Sequence, residues 1–397
     1  MKALLATVSA IVIAVAALVS VGPPTAAGAT VIDARKAKLT IWHPYVAGSA
    51  EEAAFNTVLA SVRPRFPNVT FTTVWQPFGQ LYPRFEADPR HGPDLFVTSN
   101  DGMAVEAHDG LLLNVTAVMK SRAAKLSPVA RAGAQIANKY YMIPESTKAV
   151  ALYVRDSIVP APPATTEALL AAVEGGLKLG FVADGYFPAG FDTGFGGRIV
   201  DSSYLCIADR TPGVANAYDY LRRLVLAGAS AYTQGDYYKV QADFSAGRLD
   251  AIIDGNWAGG DYRKVLGSDL SAVVLPSGPD GRSRPFVSVD GWFINAKRPN
   301  TSLATKVALA MSDPAGQATM MASGIHVPAN TAVVVTDPLV ADFAKAVANG
   351  KPRPVSIAFN AYWTPFATAV ARVAIDGADA PSSVRTACSA MNATNGR

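Results

Sequence analysis

Leu39-Thr40-Ile41-Trp42, then Ser49-Ala50-Glu51-Glu52, then Phe55, Val58, Leu59 and Val62, and last Val69-Thr70-Phe71-Thr72-Thr73-Val74: this run decides the fold. The first four residues read as a short strand. Ser49 with Glu52 three positions on forms a capping box, in which each side chain satisfies a backbone donor at a helix start. The apolar residues that follow recur at helical spacing, and Pro64 stops them. Pro67-Asn68 then turns the chain into a β-branched strand. A third strand is legible at Asp94-Leu95-Phe96-Val97. Strands alternating with helices predict an α/β domain with a mostly parallel sheet.

The middle of the chain repeats the pattern. Thr211 and Pro212 read as the cap and first position of a helix striped by Val214, Ala217, Leu221 and Leu224, ending at Gly228. Leu249 to Ile253 reads as a buried strand ending at Asp254-Gly255. Toward the C-terminus, Phe366, Val370 and Val373 mark one amphipathic helix. Val384, Cys388 and Met391 mark another, with Cys388 on its inner face.

Upstream, Lys2 precedes an apolar run from Ala3 to Val21, broken by Pro23 and Pro24 and followed by Ala27-Gly28-Ala29. This order is that of a secretory signal peptide over residues 1–29, with cleavage expected after Ala29. An uncleaved anchor is the alternative, since about 18 apolar residues span a bilayer. The remainder is longer than one hydrophobic core usually serves, so two domains are expected. An apolar fraction of 50% with 17% charged residues excludes a disordered chain. The net charge of +4 is spread rather than clustered, which gives no nucleic-acid surface.

Cys206 and Cys388 belong to a chain bound for an oxidising space, where pairing is the economical reading and two buried thiols the other. His43, His91, His108 and His326 show no zinc-ligand spacing. There is no P-loop, dinucleotide fingerprint or nucleophile elbow, so neither an enzyme nor a cofactor is expected. Aromatic residues after turn residues are more informative. They occur at Asp184-Gly185-Tyr186-Phe187, Asp254-Gly255-Asn256-Trp257, Asp290-Gly291-Trp292 and Tyr362-Trp363, and Asn100-Asp101 supplies a polar strand end. Sugars offer hydroxyls at the rim and C–H faces above and below, so stacking rings beside acids and amides suit them. Each tryptophan taken alone reads equally well as core.

From about Lys38 to the C-terminus the chain resembles the maltose-binding-protein-like solute-binding proteins. The resemblance rests on Trp42-His43-Pro44 with Glu51-Glu52-Ala53, on Gly92-Pro93-Asp94-Leu95-Phe96 with Asn100-Asp101, and on Ile143-Pro144-Glu145. It continues through Ala151-Leu152-Tyr153, Asp254-Gly255-Asn256-Trp257, Asp290-Gly291-Trp292 and His326-Val327-Pro328-Ala329-Asn330. It implies a two-lobed, type II periplasmic-binding-protein-like α/β fold with a hinge crossed several times. The N-lobe would comprise about 36–145 and 291–342, and the C-lobe about 146–290 and 343–397.

The implied function is that of an exported, monomeric receptor that closes on a carbohydrate and delivers it to the membrane permease of an ABC importer. Maltose or maltodextrin is the best single ligand. Another small solute such as glycerol phosphate, or a secreted glycoside hydrolase, is the alternative. The implied ligand contacts are Asp101, Asp184, Tyr186, Trp257 and Trp363, with Asp290, Trp292, His43, Tyr45 and Glu145 in support. A subgroup of the family carries a cysteine pair like Cys206 and Cys388. The sequence departs from maltose-type members at Thr98-Ser99, where a tryptophan is usual beside the acid. It departs again at Ala367, where an arginine is usual, and at Lys148, where an acid is common.

Overall fold

The computed structural model describes residues 32–397, so the signal segment lies outside the described residues. The opening stretch folds as its pattern dictates. Strand Ala37–His43 buries Leu39 and Ile41 and leaves Thr40 and Trp42 half-buried. Helix Ala50–Val62 is capped by Ser49, whose hydroxyl accepts the Glu52 N–H at 3.1 Å. The Glu52 carboxylate reaches one residue further back than a standard box, to the Gly48 N–H. Phe55, Val58 and Leu59 lie on the buried face, and burial of each contributes about 1.5–3 kcal/mol. Helix Gly213–Ala227 starts one residue later than its cap signals predict. Pro212 stands at the cap position, and no side chain caps the helix.

Two sheets result. The larger runs Val327–Pro328, Ile143–Lys148, Phe286–Ile294, Leu95–Ser99, Ala37–His43, Val69–Trp75, with Lys351–Pro352 pairing on Phe286–Ile294. Its first three strands in sequence are parallel, whereas Phe286–Ile294 lies antiparallel to both its main neighbours. The smaller sheet runs Ser271–Val273, Val150–Val154, Ala251–Gly255, Leu179–Val182, Ser230–Tyr232. Each sheet has its own apolar core. Phe55, Phe85, Phe96 and Phe293 anchor one, and Tyr153, Phe181, Phe244 and Phe343 the other. Two cores make two lobes.

The chain crosses between them repeatedly. The lobe boundaries expected after Glu145, Asp290 and Asp342 fall inside strand Ile143–Lys148, strand Phe286–Ile294 and helix Pro338–Asn349. Strand Phe286–Ile294 serves both cores, with Phe286 and Val287 in that of the smaller sheet and Val289, Trp292, Phe293 and Ile294 in that of the larger, while helix Pro338–Asn349 buries Leu339, Val340 and Phe343 in the smaller sheet's core. The segment Lys351–Pro352 then rejoins the larger sheet before helices Trp363–Ala374 and Ala380–Thr394 close the C-lobe. Cys206 and Cys388 form a disulfide that joins the last of these helices to the loop before helix Gly213–Ala227. Among the described residues no helix is long and apolar enough to cross a membrane.

The lobes touch. The Ala50 N–H donates to Asp261 at 2.9 Å, and Lys264 Nζ donates to the Gly48 carbonyl at 3.1 Å. Gly260 allows this approach, because a Cβ there would stand 2.5 Å from Ala50 and 2.4 Å from the Ser323 carbonyl.

Candidate functional site

The C-lobe wall is aromatic. Tyr186 lies between two tryptophans, its ring 6.1 Å from Trp257 and 6.3 Å from Trp363, and all three are only partly buried. Asp184 builds the turn that holds Tyr186. One of its carboxylate oxygens accepts the N–H groups of Tyr186 (2.8 Å) and Phe187 (2.9 Å), the hydrogen-bonded turn that aspartate favours. Burial pushes Asp184 up to about 6, against the pull of those two N–H groups.

Trp257 reaches the wall because its strand stops in time. The strand Ala251–Gly255 ends at Asp254-Gly255, as the sequence predicts, and both residues pair with strand Val150–Val154. The turn Asn256–Ala258 then carries the indole outward. Gly255 is required there, because a Cβ would fall 2.0 Å from the Trp257 ring. The indole N–H donates to the Tyr237 hydroxyl, which in turn donates to Asp254 at 3.1 Å. Tyr262 donates to the other Asp254 oxygen at 2.6 Å. Trp363 packs against Tyr362, Phe359 and Phe286.

The opposing wall is ionic. Lys148 Nζ lies 2.7 Å from Asp290, 3.3 Å from Glu51, and 5.4 Å from the centre of the Trp257 ring. Burial opposes its charge, but Asp290 and then Glu51 outweigh burial and hold the ammonium above the lysine range. His326 stands between two carboxylates, Nδ1 at 2.9 Å from Glu145 and Nε2 at 2.7 Å from Glu51. Burial opposes protonation here too, yet Glu145 and Glu51 push the imidazole up to about 10. Glu145 is free to turn toward it because of a bulge. Asp290 faces Ser146 while Gly291 faces Pro144, so Glu145 is the extra residue in its strand.

At the Trp363 end, Asp101 pairs with Arg353 and accepts the Ser99 hydroxyl at 2.7 Å. Arg353 also donates to Asn100 and to the Ser99 Oγ at 3.0 Å, and its guanidinium carbon lies 5.8 Å from the centre of the Trp363 ring. Each tryptophan platform therefore faces a cation held by a carboxylate. The Tyr186 hydroxyl meets Ser288 of the hinge strand at 3.1 Å, between the two ends.

The structure thus brings together Asp101, Asp184, Tyr186, Trp257, Trp363, Asp290 and Glu145. Tyr45 lies behind them, fully buried, with its ring 6.2 Å from His326. His43 is buried against Tyr45 and Phe55, and burial lowers its pKa. Trp292 stands apart, stacked on Phe55 in the N-lobe core. Arg353 and Tyr237 contact these candidate residues, and the sequence reading missed both. The signal for Arg353 was its place between Pro352 and Pro354, two residues that fix the backbone on either side.

Two lobes, several crossings and a cleft lined by both define a receptor that holds a solute between its domains. The sequence profile of the bacterial extracellular solute-binding proteins matches residues 64–349, and the chain belongs to that family. It is similar to the maltodextrin-binding protein MdxE of Bacillus subtilis (strain 168), with 23% identity over 71% of this chain and 72% of that protein. Among solved structures, the GacH receptor of Streptomyces glaucescens GLA.O, determined unliganded and with acarbose, superposes with a TM-score of 0.84. It is 20% identical, over 90% of this chain and 98% of that one. The maltotriose binding protein of Thermus thermophilus, solved with maltotriose, gives 0.81 at 22% identity over 90% and 100%. These superpositions establish the two-lobed fold.

Proposed function

We propose that this protein is the exported carbohydrate-binding receptor of an ABC importer, released by cleavage after Ala29. It binds a maltodextrin between its lobes and presents the closed form to the permease. The observation that carries this reading is the triad of Trp257, Tyr186 and Trp363 opposite carboxylate-held cations. Rings of this kind offer flat apolar faces to pyranose C–H groups. Asp101, 30% exposed, supplies an acceptor for hydroxyls, while Asp290 and Glu145 are buried in pairs with Lys148 and His326. The names of the relatives, a maltodextrin-binding and a maltotriose-binding protein, point to the same ligand class.

Closure follows from differential contact: a sugar that touches both walls stabilises only the closed arrangement. The ionic wall also argues against an anionic solute such as glycerol phosphate. Glu51, Glu145 and Asp290 surround Lys148 and His326, and Arg353 is already paired with Asp101. A phosphate would meet more acids than cations.

A thermal-shift screen over maltose, maltotriose, maltotetraose, cellobiose and glycerol phosphate tests the reading. A ligand at a hundred times its Kd stabilises by about 2.7 kcal/mol, and the maltodextrins should give the largest shifts. A shift with glycerol phosphate alone, or oligosaccharide hydrolysis during incubation, would replace it.

A further inference from the structure

We propose that Arg353 is a positioning residue for the ligand, orienting Asp101 toward the cleft and coupling occupancy at Trp363 to closure of the lobes. This rests on the carbohydrate reading and adds a contact that reading does not contain.

Arg353 occupies a crossing of the chain. Its N–H donates to the Val287 carbonyl at 3.0 Å, just after Lys351–Pro352 pairs with Phe286 and Val287 of the hinge strand. Pro352 and Pro354 restrict the backbone on both sides, so any movement of the charge must come from the side chain. Past the short helix Ile357–Asn360 the chain enters the helix that starts with Trp363. Arg353 is thus anchored at the hinge, bonded to one wall and lying against the other.

Its donors are unevenly used. Nη1 serves Asp101, and Nη2 serves Asn100 and Ser99. The Arg353 side chain is only 3% exposed. Asp101 is the open member of the pair, at 30%. The guanidinium fixes one of its oxygens, leaving the rest of its acceptor capacity for a ligand hydroxyl. Asn100 is itself fixed, donating to the Gly133 carbonyl at 2.9 Å and accepting the Val289 N–H at 3.3 Å. The fork is therefore built on a rigid base, and Lys at 353 would not reproduce it.

There is also room for adjustment. A cavity of about 220 Å³ lies beside Arg353, lined by Gly133, Gln135, Tyr204, Val289 and Pro352. A sugar ring arriving on Trp363 either takes the face nearest the guanidinium and displaces it toward this space, or stacks opposite and is joined through Asp101. In both cases ligand and arginine respond to each other.

The test compares wild type, Arg353→Gln, Arg353→Lys and Asp101→Asn in maltotriose titration calorimetry, with apo melting and tryptophan emission recorded alongside. The emission change owed to Trp363 is obtained by subtracting the response of Trp363→Phe. Arg353→Gln should weaken binding roughly tenfold or more, as expected for loss of charge-assisted hydrogen bonds, and should abolish the Trp363 component. Arg353→Lys should be intermediate. Combining Arg353→Gln with Asp101→Asn should weaken binding little beyond the worse single variant, because one acts through the other. A purely structural role would lower the melting temperature and leave affinity and the Trp363 signal of the folded fraction unchanged. If wild type binds maltotriose and the Gln or Lys variant binds it equally well, the inference falls and the sugar reading stands. If wild type binds no carbohydrate, both fall.

Discussion

The two walls of the cleft are built on opposite principles. The C-lobe presents three half-buried rings, Trp257 and Tyr186 held by hydrogen bonds and Trp363 by aromatic packing. The N-lobe presents buried acids and cations that satisfy one another across the gaps between strands. A ring face discriminates weakly among pyranoses, since each offers a similar C–H surface. A fixed acceptor discriminates by hydroxyl position, because a mismatch leaves it unpaired. The aromatic wall thus provides grip and the ionic wall selection. Their supports differ as well. A covalent bond stiffens the aromatic lobe, and electrostatic pairing stiffens the other.

That contrast can be broken first at the disulfide. The helix bearing Cys388 packs along the helix that begins with Trp363. The bond closes a separation of 182 positions, so replacing both cysteines with alanine should cost up to about 5 kcal/mol in denaturant unfolding. Thiol labelling of the denatured, unreduced wild type should find no free cysteine. Sugar affinity of the folded variant should persist, and a collapse of affinity would mean the bond shapes the wall directly.

Next in size is Lys148→Met, which leaves Asp290 and Glu51 buried without their shared cation. Breaking a buried pair in this way costs about 3–5 kcal/mol, to be read from apo unfolding without sugar. A variant as stable as wild type would show that the acids take up protons at little cost.

His326 gives the ionic wall a pH signature at higher pH than that of Asp184 in the aromatic wall, which titrates at about 6. Its pKa in the folded protein, about 10, lies above the ordinary 6.5. The native state therefore holds the proton more tightly. Its stabilising contribution is complete below pH 6.5 and is lost as pH rises through about 10. Apo stability measured across that window should fall with pH, and His326→Gln should flatten the slope. An equal slope in the variant would assign the effect elsewhere.

The sharpest test of the division of labour sets Trp257→Ala, the smallest expected change in stability, beside Trp292→Ala. Trp292 is core, so its loss should cost roughly 3–5 kcal/mol with sugar affinity kept. Trp257→Ala should cost less stability than that and weaken binding about tenfold, equivalent to ~1.4 kcal/mol. The reverse pattern would exchange their roles.

These two tryptophans also mark the limit of what the sequence carries. Asp254-Gly255-Asn256-Trp257 and Asp290-Gly291-Trp292 look alike, each an aromatic after an acid and a glycine. In the first, the strand ends at Gly255 and a turn lifts the ring to the cleft. In the second, a nine-residue strand runs on through Ile294 and buries the ring. Strand length is set by partners distant in the chain, which a local motif does not contain. The opening strand, helix and strand were legible because capping and periodicity are local. The Asn100–Arg353 contact spans 253 positions and has no local trace beyond two flanking prolines.

The tether of Trp257 has a further consequence. Tyr237, Asp254 and Tyr262 fix the indole in one rotamer before any ligand arrives. The loss of side-chain entropy is incurred when the protein folds rather than when the sugar binds. Encounter therefore needs no search over ring orientations at this platform. Ligands of different length should associate at similar rates and separate chiefly in how long they stay.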